Sequence, residues 1–300
     1  MTVKSCALAS RSAAATVAAV MVLMVALSGC SLVGGVTATT IVPEHLSVGA
    51  TPTLTVDTFN GVVSVIAGGE GSFDVKITKR GSGGDQAAAE QDLAKIEATV
   101  TQEGERITVT ARRTDGQRLF GNSGADVEVV IPTGASMDLT TSNARVDVTN
   151  LLGTIVVHTS NGGVTIRKGT DVNVQTSNAS ITVTGSEGTL TLASSNGSID
   201  VVDVEDVVVM ATSSNASIAF SGSLAAGDHR LATSNGQIRL SLPGNAAFTM
   251  DASTSNANIT SEFPLTLTGG TLNGSVGDDP QAHITLETSN AQLSVLKQAP

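Results

Sequence analysis

The side chains best placed to do chemistry are the acids Asp200, Asp203, Glu205 and Asp206, with Asp171 upstream. Paired carboxylates can cleave a glycosidic bond, one as acid and one as base or nucleophile, and surface carboxylates can hold calcium. Yet Val201, Val202, Val204 and Val207 interleave these acids, the pattern of a solvated turn between buried strands. Tyr and Trp are absent, which removes the usual platform for stacking a sugar ring. His45, His158, His229 and His283 share no metal-ligand spacing and are expected as scattered surface residues. No Gly-rich phosphate loop stands between a strand and a helix, and no Gly-x-Ser-x-Gly elbow occurs. Catalytic residues, cofactors and metals are therefore not expected.

A second set of polar groups is more regular. Thr141-Ser142-Asn143-Ala144 returns as Thr-Ser-Asn or Ser-Ser-Asn followed by Gly or Ala around Asn161, Asn178, Asn196, Asn215, Asn235, Asn256 and Asn290. A degenerate copy, Thr271-Leu272-Asn273-Gly274, fills the long gap. The step is seventeen to twenty-one residues, and self-similarity at a fixed period marks a stacked-repeat architecture. A row of amides could bind a ligand. The expectation is structural: Asn143, Asn161, Asn178, Asn196, Asn215, Asn235, Asn256, Asn273 and Asn290 form an inward ladder, amide over amide, at successive corners.

The flanks supply the elements that place these corners. Val172, Val174 and Thr176 precede Asn178 at alternate positions, and Ile181 and Val183 follow it; the other copies keep the same phase. Period-two alternation predicts strands with one buried face, and the one-residue slip at the asparagine predicts a corner between them. Gly or Ala after every asparagine points to crowding between stacked coils, since a positive φ would select Gly alone. Leu54 to Val65 around Asn60 repeat the phase as a first, isolated coil. Between them and the array, Asp85 is placed to cap a helix over Gln86 to Ile96, and two alternating runs then predict a hairpin. This insert, about 81–125, caps or flanks the stack.

The N-terminus bears on location. Lys4 and Arg11 precede an apolar run over Ala13–Ala26 too short for a comfortable span. Leu27-Ser28-Gly29-Cys30 resembles a bacterial lipobox, which implies cleavage before Cys30 and a diacylglyceryl group on its thiol. The domain plan is then a lipoprotein signal peptide over 1–29, a lipidated tether over 30–50 and a repeat domain over 51–300. The formal charge is −11, and the chain beyond the signal is two charges more negative. That excludes a basic nucleic-acid surface and docking on anionic lipid by a basic face.

The corners, the insert ending in Thr110-Ala111-Arg112-Arg113, and Gly269-Gly270-Thr271-Leu272-Asn273-Gly274-Ser275-Val276-Gly277 together resemble a known family. They are similar to bacterial β-strand-repeat domains of candidate adhesins, kin to the head-GIN domains of candidate autotransporter adhesins. The resemblance covers about residues 50–300. It implies an all-β fold, a single-stranded right-handed parallel β-helix of about nine coils with a small helix-plus-hairpin insert, in the cell envelope. It supplies no catalytic residues. The function expected is that of a lipid-anchored extracytoplasmic protein with a structural or binding role, held to the membrane by Cys30 and facing a protein or polysaccharide partner. An accessory role in envelope-stress signalling or wall assembly is the second expectation, and a polysaccharide-active enzyme the third.

Overall fold

The structure, a computed structural model, describes residues 35–68, 71–116 and 122–298. It is all-β with one helix among the described residues. β1 (Val36–Ser47) comes first, then β2 (Thr53–Thr58) and β3 (Val62–Ala67) on either side of Asn60. β4 (Ser72–Gly83), α1 (Gln86–Leu93), β5 (Ile96–Glu103), β6 (Arg106–Arg113) and β7 (Gly124–Ile131) follow. The regular array runs through β8 (Ser136–Thr141), β9 (Arg145–Thr149), β10 (Thr154–Thr159), β11 (Val164–Arg167), β12 (Thr170–Thr176), β13 (Ile181–Thr184), β14 (Glu187–Ser194) and β15 (Ile199–Ser213). Beyond it lie β16 (Ile218–Leu224), β17 (Gly227–Thr233), β18 (Ile238–Leu242), β19 (Phe248–Thr254) and β20 (Ile259–Ser261). The last four are β21 (Thr266–Thr268), β22 (Thr271–Val276), β23 (Ala282–Thr288) and β24 (Leu293–Lys297).

Two parallel ladders result. Strands that enter a corner pair in the order β6, β2, β8, β10, β12, β14, the second half of β15, β17, β23 and β19. Strands that leave a corner pair as β7, β3, β9, β11, β13, the first half of β15, β16, β18, β24 and β20. Like residues stack on like: Val146, Val164, Ile181, Ile199, Ile218 and Ile238 form one buried column three places after the corner. Each such side chain contributes roughly 1.5–3 kcal/mol of burial, repeated at every rung.

The ends depart from parallel stacking. At one end β5 closes on β6, β4 on β7, and β1 on β4, all antiparallel. At the other, β22 lies antiparallel on β19 and β21 on β22. Both devices cover ladder edges that would otherwise stand open. The coil at Asn60 is not isolated: β2 and β3 stack directly on β8 and β9, and the chain between them forms the cap beyond. The insert thus occupies everything from β4 to β7, wider than 81–125, and caps the stack. Its helix ends at Leu93, and the Ala88 N–H donates to the capping Asp85 Oδ1 at 2.8 Å. The helix packs so tightly on β4 that a Cβ at Gly83 would come within 2.5 Å of Ala89 N.

Two further expectations change. The tether over 30–50 is, from Val36 to Ser47, an ordered strand pairing with β4 along its whole length. Its Thr-, Ile- and Val-rich composition favours a strand, with Ala38, Thr40, Val42 and Leu46 buried, and Pro43 is tolerated because β1 is an edge. The stacking order also differs from the chain order, because the C-terminal pair β23–β24 inserts between β17–β18 and β19–β20.

Candidate functional site

Each corner divides its polar groups between two layers. The first residue of the motif points inward: Thr141, Thr159, Thr176, Ser194, Ser213 and Thr233 are buried. Its hydroxyl oxygen accepts the N–H of the Gly or Ala three places on, at 3.2 Å from Ala144 and 2.9 Å from Gly197. The same hydroxyl donates to the neighbouring rung, Ser194 to Ala179 O at 3.2 Å and Thr233 to Ala216 O at 3.1 Å. A buried hydroxyl column therefore stitches successive corners; its inward phase, that of the apolar positions before it, was expected from the alternation, but its bonds between rungs were not.

The amides form the outer layer, exposed rather than inward. Asn161 Nδ2 donates to Asn143 Oδ1, and Asn178, Asn196, Asn215 and Asn235 each donate to the preceding amide, at 2.7–2.8 Å. Asn290 then donates to Asn235 at 2.8 Å, and Asn256 to Asn290 at 2.7 Å. The physical reason for the outward placement is that the hydroxyl and the Gly or Ala already fill the inner side of the corner. Asn273 is not in the column. It lies in β22, opposite Asp251 in an antiparallel pair.

The glycines record the crowding. A Cβ added at Gly162, Gly197 or Gly236 would overlap the carbonyl oxygen of Ala144, Ala179 or Ala216 in the neighbouring rung. None of the three has positive φ, so close approach of backbones, not backbone conformation, demands glycine there.

Asp171, Asp203 and Asp206 occupy the opposite turn, while Asp200 lies in the first half of β15, paired with Thr182 and Ala219. Asp171, Asp203 and Asp206 have φ of 49°, 54° and 52°, the left-handed region that Asp and Asn tolerate better than most residues. Asp171 Oδ1 accepts the Thr189 N–H at 2.9 Å, the Asp206 N–H donates to Ser223 Oγ at 2.8 Å, and Ser198 Oγ donates to Asp200 Oδ2 at 3.1 Å. The placement of the three turn acids follows from turn geometry. Extra residues between Val201 and Val207 bulge β15 outward, so Asp203 and Glu205 rim a groove of about 700 Å³. Ser221, Gly222 and Ser223 form its floor, and Arg239, Ser241 and Gln298 its far side. Gln298 Nε2 donates to Ser221 Oγ at 3.1 Å. None of the ion pairs among the described residues uses Asp203, Glu205 or Arg239.

One histidine is not at the surface. His229 is buried, six places before Asn235, where Val172 and Leu190 stand in other copies. The Val209 N–H donates to its Nδ1 at 3.3 Å, so Nε2 carries the proton and faces Ala225 O at 3.0 Å. Burial pushes its imidazole below the ordinary value, against the pull of Ala225 O and Asp228, with His283 acting in the same direction as burial. His45 instead pairs with Asp74 at 2.5 Å, and His283 Nδ1 with Thr249 Oγ1 at 2.6 Å, both exposed. No group of three His, Cys, Asp or Glu among the described residues could hold a metal ion.

In the cap, Arg113 reaches Asp92 at 2.9 Å and Asp115 at 2.8 Å, all three largely buried. Burial alone would raise the Asp92 carboxyl. Hydrogen bonds from Arg113, Ser123 and the Ser82 N–H, with the guanidinium charge, hold it below the ordinary carboxylate range. Arg113 closes the Thr110-Ala111-Arg112-Arg113 stretch, so that stretch marks an anchor of the cap.

A model of the Toastrack DUF4097 family matches residues 66–293, most of the chain. The chain belongs to the Toastrack family. The match runs from the end of β3 through the cap and the corner column to the first residue of β24, and so spans β23 and most of the groove's lining. Among solved structures, the Toastrack chain is similar to a candidate adhesin from Bacteroides fragilis, at 12% identity and TM-score 0.45, covering 86% of this chain and 97% of that one. It is similar to a candidate adhesin from Parabacteroides distasonis, at 16% identity and TM-score 0.40, covering 86% and 97%. A candidate lipid-binding protein from the same species gives 11% identity and TM-score 0.31, covering 85% and 96%. Curated proteins yield no match. Cys30 lies outside the described residues, and no helix among those described is long and apolar enough to cross a membrane.

Proposed function

We propose that this Toastrack protein is a non-enzymatic, lipid-anchored component of the bacterial cell envelope that presents a binding surface outside the cytoplasm, in the manner of an adhesin. In this reading the stack is a single-stranded right-handed parallel β-helix of about nine coils, attached through diacylglyceryl-Cys30. One observation carries the non-enzymatic part. Most of the polar groups that could do chemistry are engaged by the fold: the hydroxyls bond between rungs, the amides bond to each other, and Asp171 and Asp200 accept hydrogen bonds within the stack. Recognition then falls to the groove, where carboxylates on one rim face Arg239 on the other across a floor of serines.

Capture from the native envelope with the full lipidated chain, beside a variant carrying Asp203→Ala, Glu205→Ala and Arg239→Ala, tests this reading. The wild-type chain should retain a partner that the triple variant loses, with both chains folded. Radiolabelled lipid should follow the chain and be lost on Cys30→Ala. Cleavage of a wall or capsule polysaccharide that disappears on Asp203→Ala alone would contradict the non-enzymatic reading, and label persisting on Cys30→Ala would contradict the anchor.

A further inference from the structure

The C-terminal coil fills a place the rest of the chain leaves open for it. β23 pairs with β17 on one side and β19 on the other, and β24 does the same between β18 and β20. To leave that room, the chain departs at Leu242, crosses through residues 243–247 and resumes at Phe248 two rungs further along. The result is a slot one rung wide with ladder edges on both walls. Its corner groups wait in position: Gly236 O accepts from Thr288 Oγ1 at 3.1 Å, Asn235 Oδ1 accepts from Asn290 Nδ2 at 2.8 Å, and Asn256 Nδ2 donates to Asn290 Oδ1 at 2.7 Å. These contacts require a strand, a Thr-Ser-Asn corner and a second strand in phase. They do not require that the coil be covalently continuous with the slot.

The connection is short and crowded. Val276 and Ala282 both neighbour Phe248, from opposite sides, so residues 277–281 must bridge two rungs, roughly 10 Å. Asp279 adopts φ of 48°, and a Cβ at Gly277 would come within 2.6 Å of Ala247 Cβ. Beside the crossing lies a void of about 240 Å³, lined by Pro243, Asn245, Ala247, Phe248 and Ala282. A terminal element that slots into a preformed gap through a short hinge is an arrangement in which protein copies can exchange parts.

We infer that residues 282–297 exchange between copies of this chain, the slot of one molecule receiving the C-terminal coil of a second. During folding the slot stands open from the closure of β22 until a coil arrives, and a second copy presents an identical one. Reciprocal exchange reproduces every slot contact and straightens both hinges.

Two full-length chains, one with Ser234→Cys and one with Ser289→Cys, unfolded and refolded together at high concentration and then oxidised, test the inference. The Ser289 N–H donates to Ser234 O at 3.1 Å, so the pair lies on adjacent rungs. Exchange should give a covalent dimer of twice the chain mass, joined between 234 and 289 on peptide mapping. A chain carrying both substitutions should close the same bond within itself, which shows that the geometry permits it. Monomers alone after joint refolding, with that control closed, would overturn the inference. Deleting residues 278–281 supplies an independent reading, because the two Cα steps left span only about 7 Å. That variant should double in mass by light scattering, and a folded monomer with β23 seated would overturn the inference as well.

Discussion

At the residue scale the corner holds two polar devices of unequal weight. Thr233 is buried and makes both its bonds, accepting from the Gly236 N–H at 3.2 Å and donating to Ala216 O at 3.1 Å. Thr233→Val keeps the shape and strands two buried backbone groups, a loss of about 1–3 kcal/mol. Asn235 is exposed, so Asn235→Ala should lose about 1 kcal/mol or less, water replacing the amide partner. Chemical denaturation of the two variants checks the ranking, and a larger loss at Asn235 would contradict it. His229 is the other informative residue. Because burial depresses its folded value, the unfolded chain binds the proton more readily below the ordinary histidine value, about 6.5. The His229 contribution should therefore be flat above that pH and should erode as pH falls below it, by at most about 1.4 kcal/mol per pH unit. His229→Leu, which imitates Leu190, should flatten that part of the Tm profile between pH 5 and 7 while lowering Tm overall, since Val209 N–H loses its acceptor. An unchanged slope would exclude His229 as its source.

Elements differ in how far the amino-acid pattern discloses them. The array strands were legible because two periods coincide there, alternation within each strand and recurrence of Thr-Ser-Asn between them. The hairpin β5–β6 and the start of α1 were legible from alternation and from Asp85. β1 was not, because a Thr-rich run interrupted by Pro and ending before Gly-Ala looks like a linker until β4 is there to pair with it. The buried place of His229 was readable from phase alone, six positions before Asn235. It was obscured by the absence of any metal-ligand spacing, which speaks to metals and not to burial. The cap depends on a contact with no sequence-local signature, Arg113 with Asp92. Arg113→Ala leaves the part-buried Asp92 carboxylate with only its Ser123 and Ser82 hydrogen bonds and should destabilise the chain by about 1–3 kcal/mol. Proteolysis between residues 84 and 116 should accelerate before the array opens; simultaneous loss of array and cap would show that the two form one cooperative unit.

Across the whole molecule, repetition makes the rungs recognisable and at the same time conceals their order. Every coil presents the same apolar phase and the same corner, so any one can stack on any other. Asn256 follows Asn235 in the chain, yet Asn290 lies between them in space. What selects the order is the long excursion through β21 and β22, whose antiparallel pairing covers β19 and leaves the rung beneath it for β23. The acids of the groove follow the same logic: an excess of residues between Val201 and Val207 throws the turn outward, and sequence spacing could not tell a bulge from a catalytic pair.

The stacking order is most directly tested by disulfide trapping at the outward-facing positions Ala232, Glu287 and Ser253. Ala232 pairs with Glu287, which pairs in turn with Ser253. Adjacent rungs lie about 4.8 Å apart and alternate rungs nearly 10 Å, beyond the roughly 7 Å between Cα atoms that a disulfide can span. Ala232→Cys with Glu287→Cys should therefore close readily under mild oxidation, and Ala232→Cys with Ser253→Cys should not. Closure of the second pair with failure of the first would mean that the coils stack in chain order, and the inserted C-terminal coil would have to be abandoned.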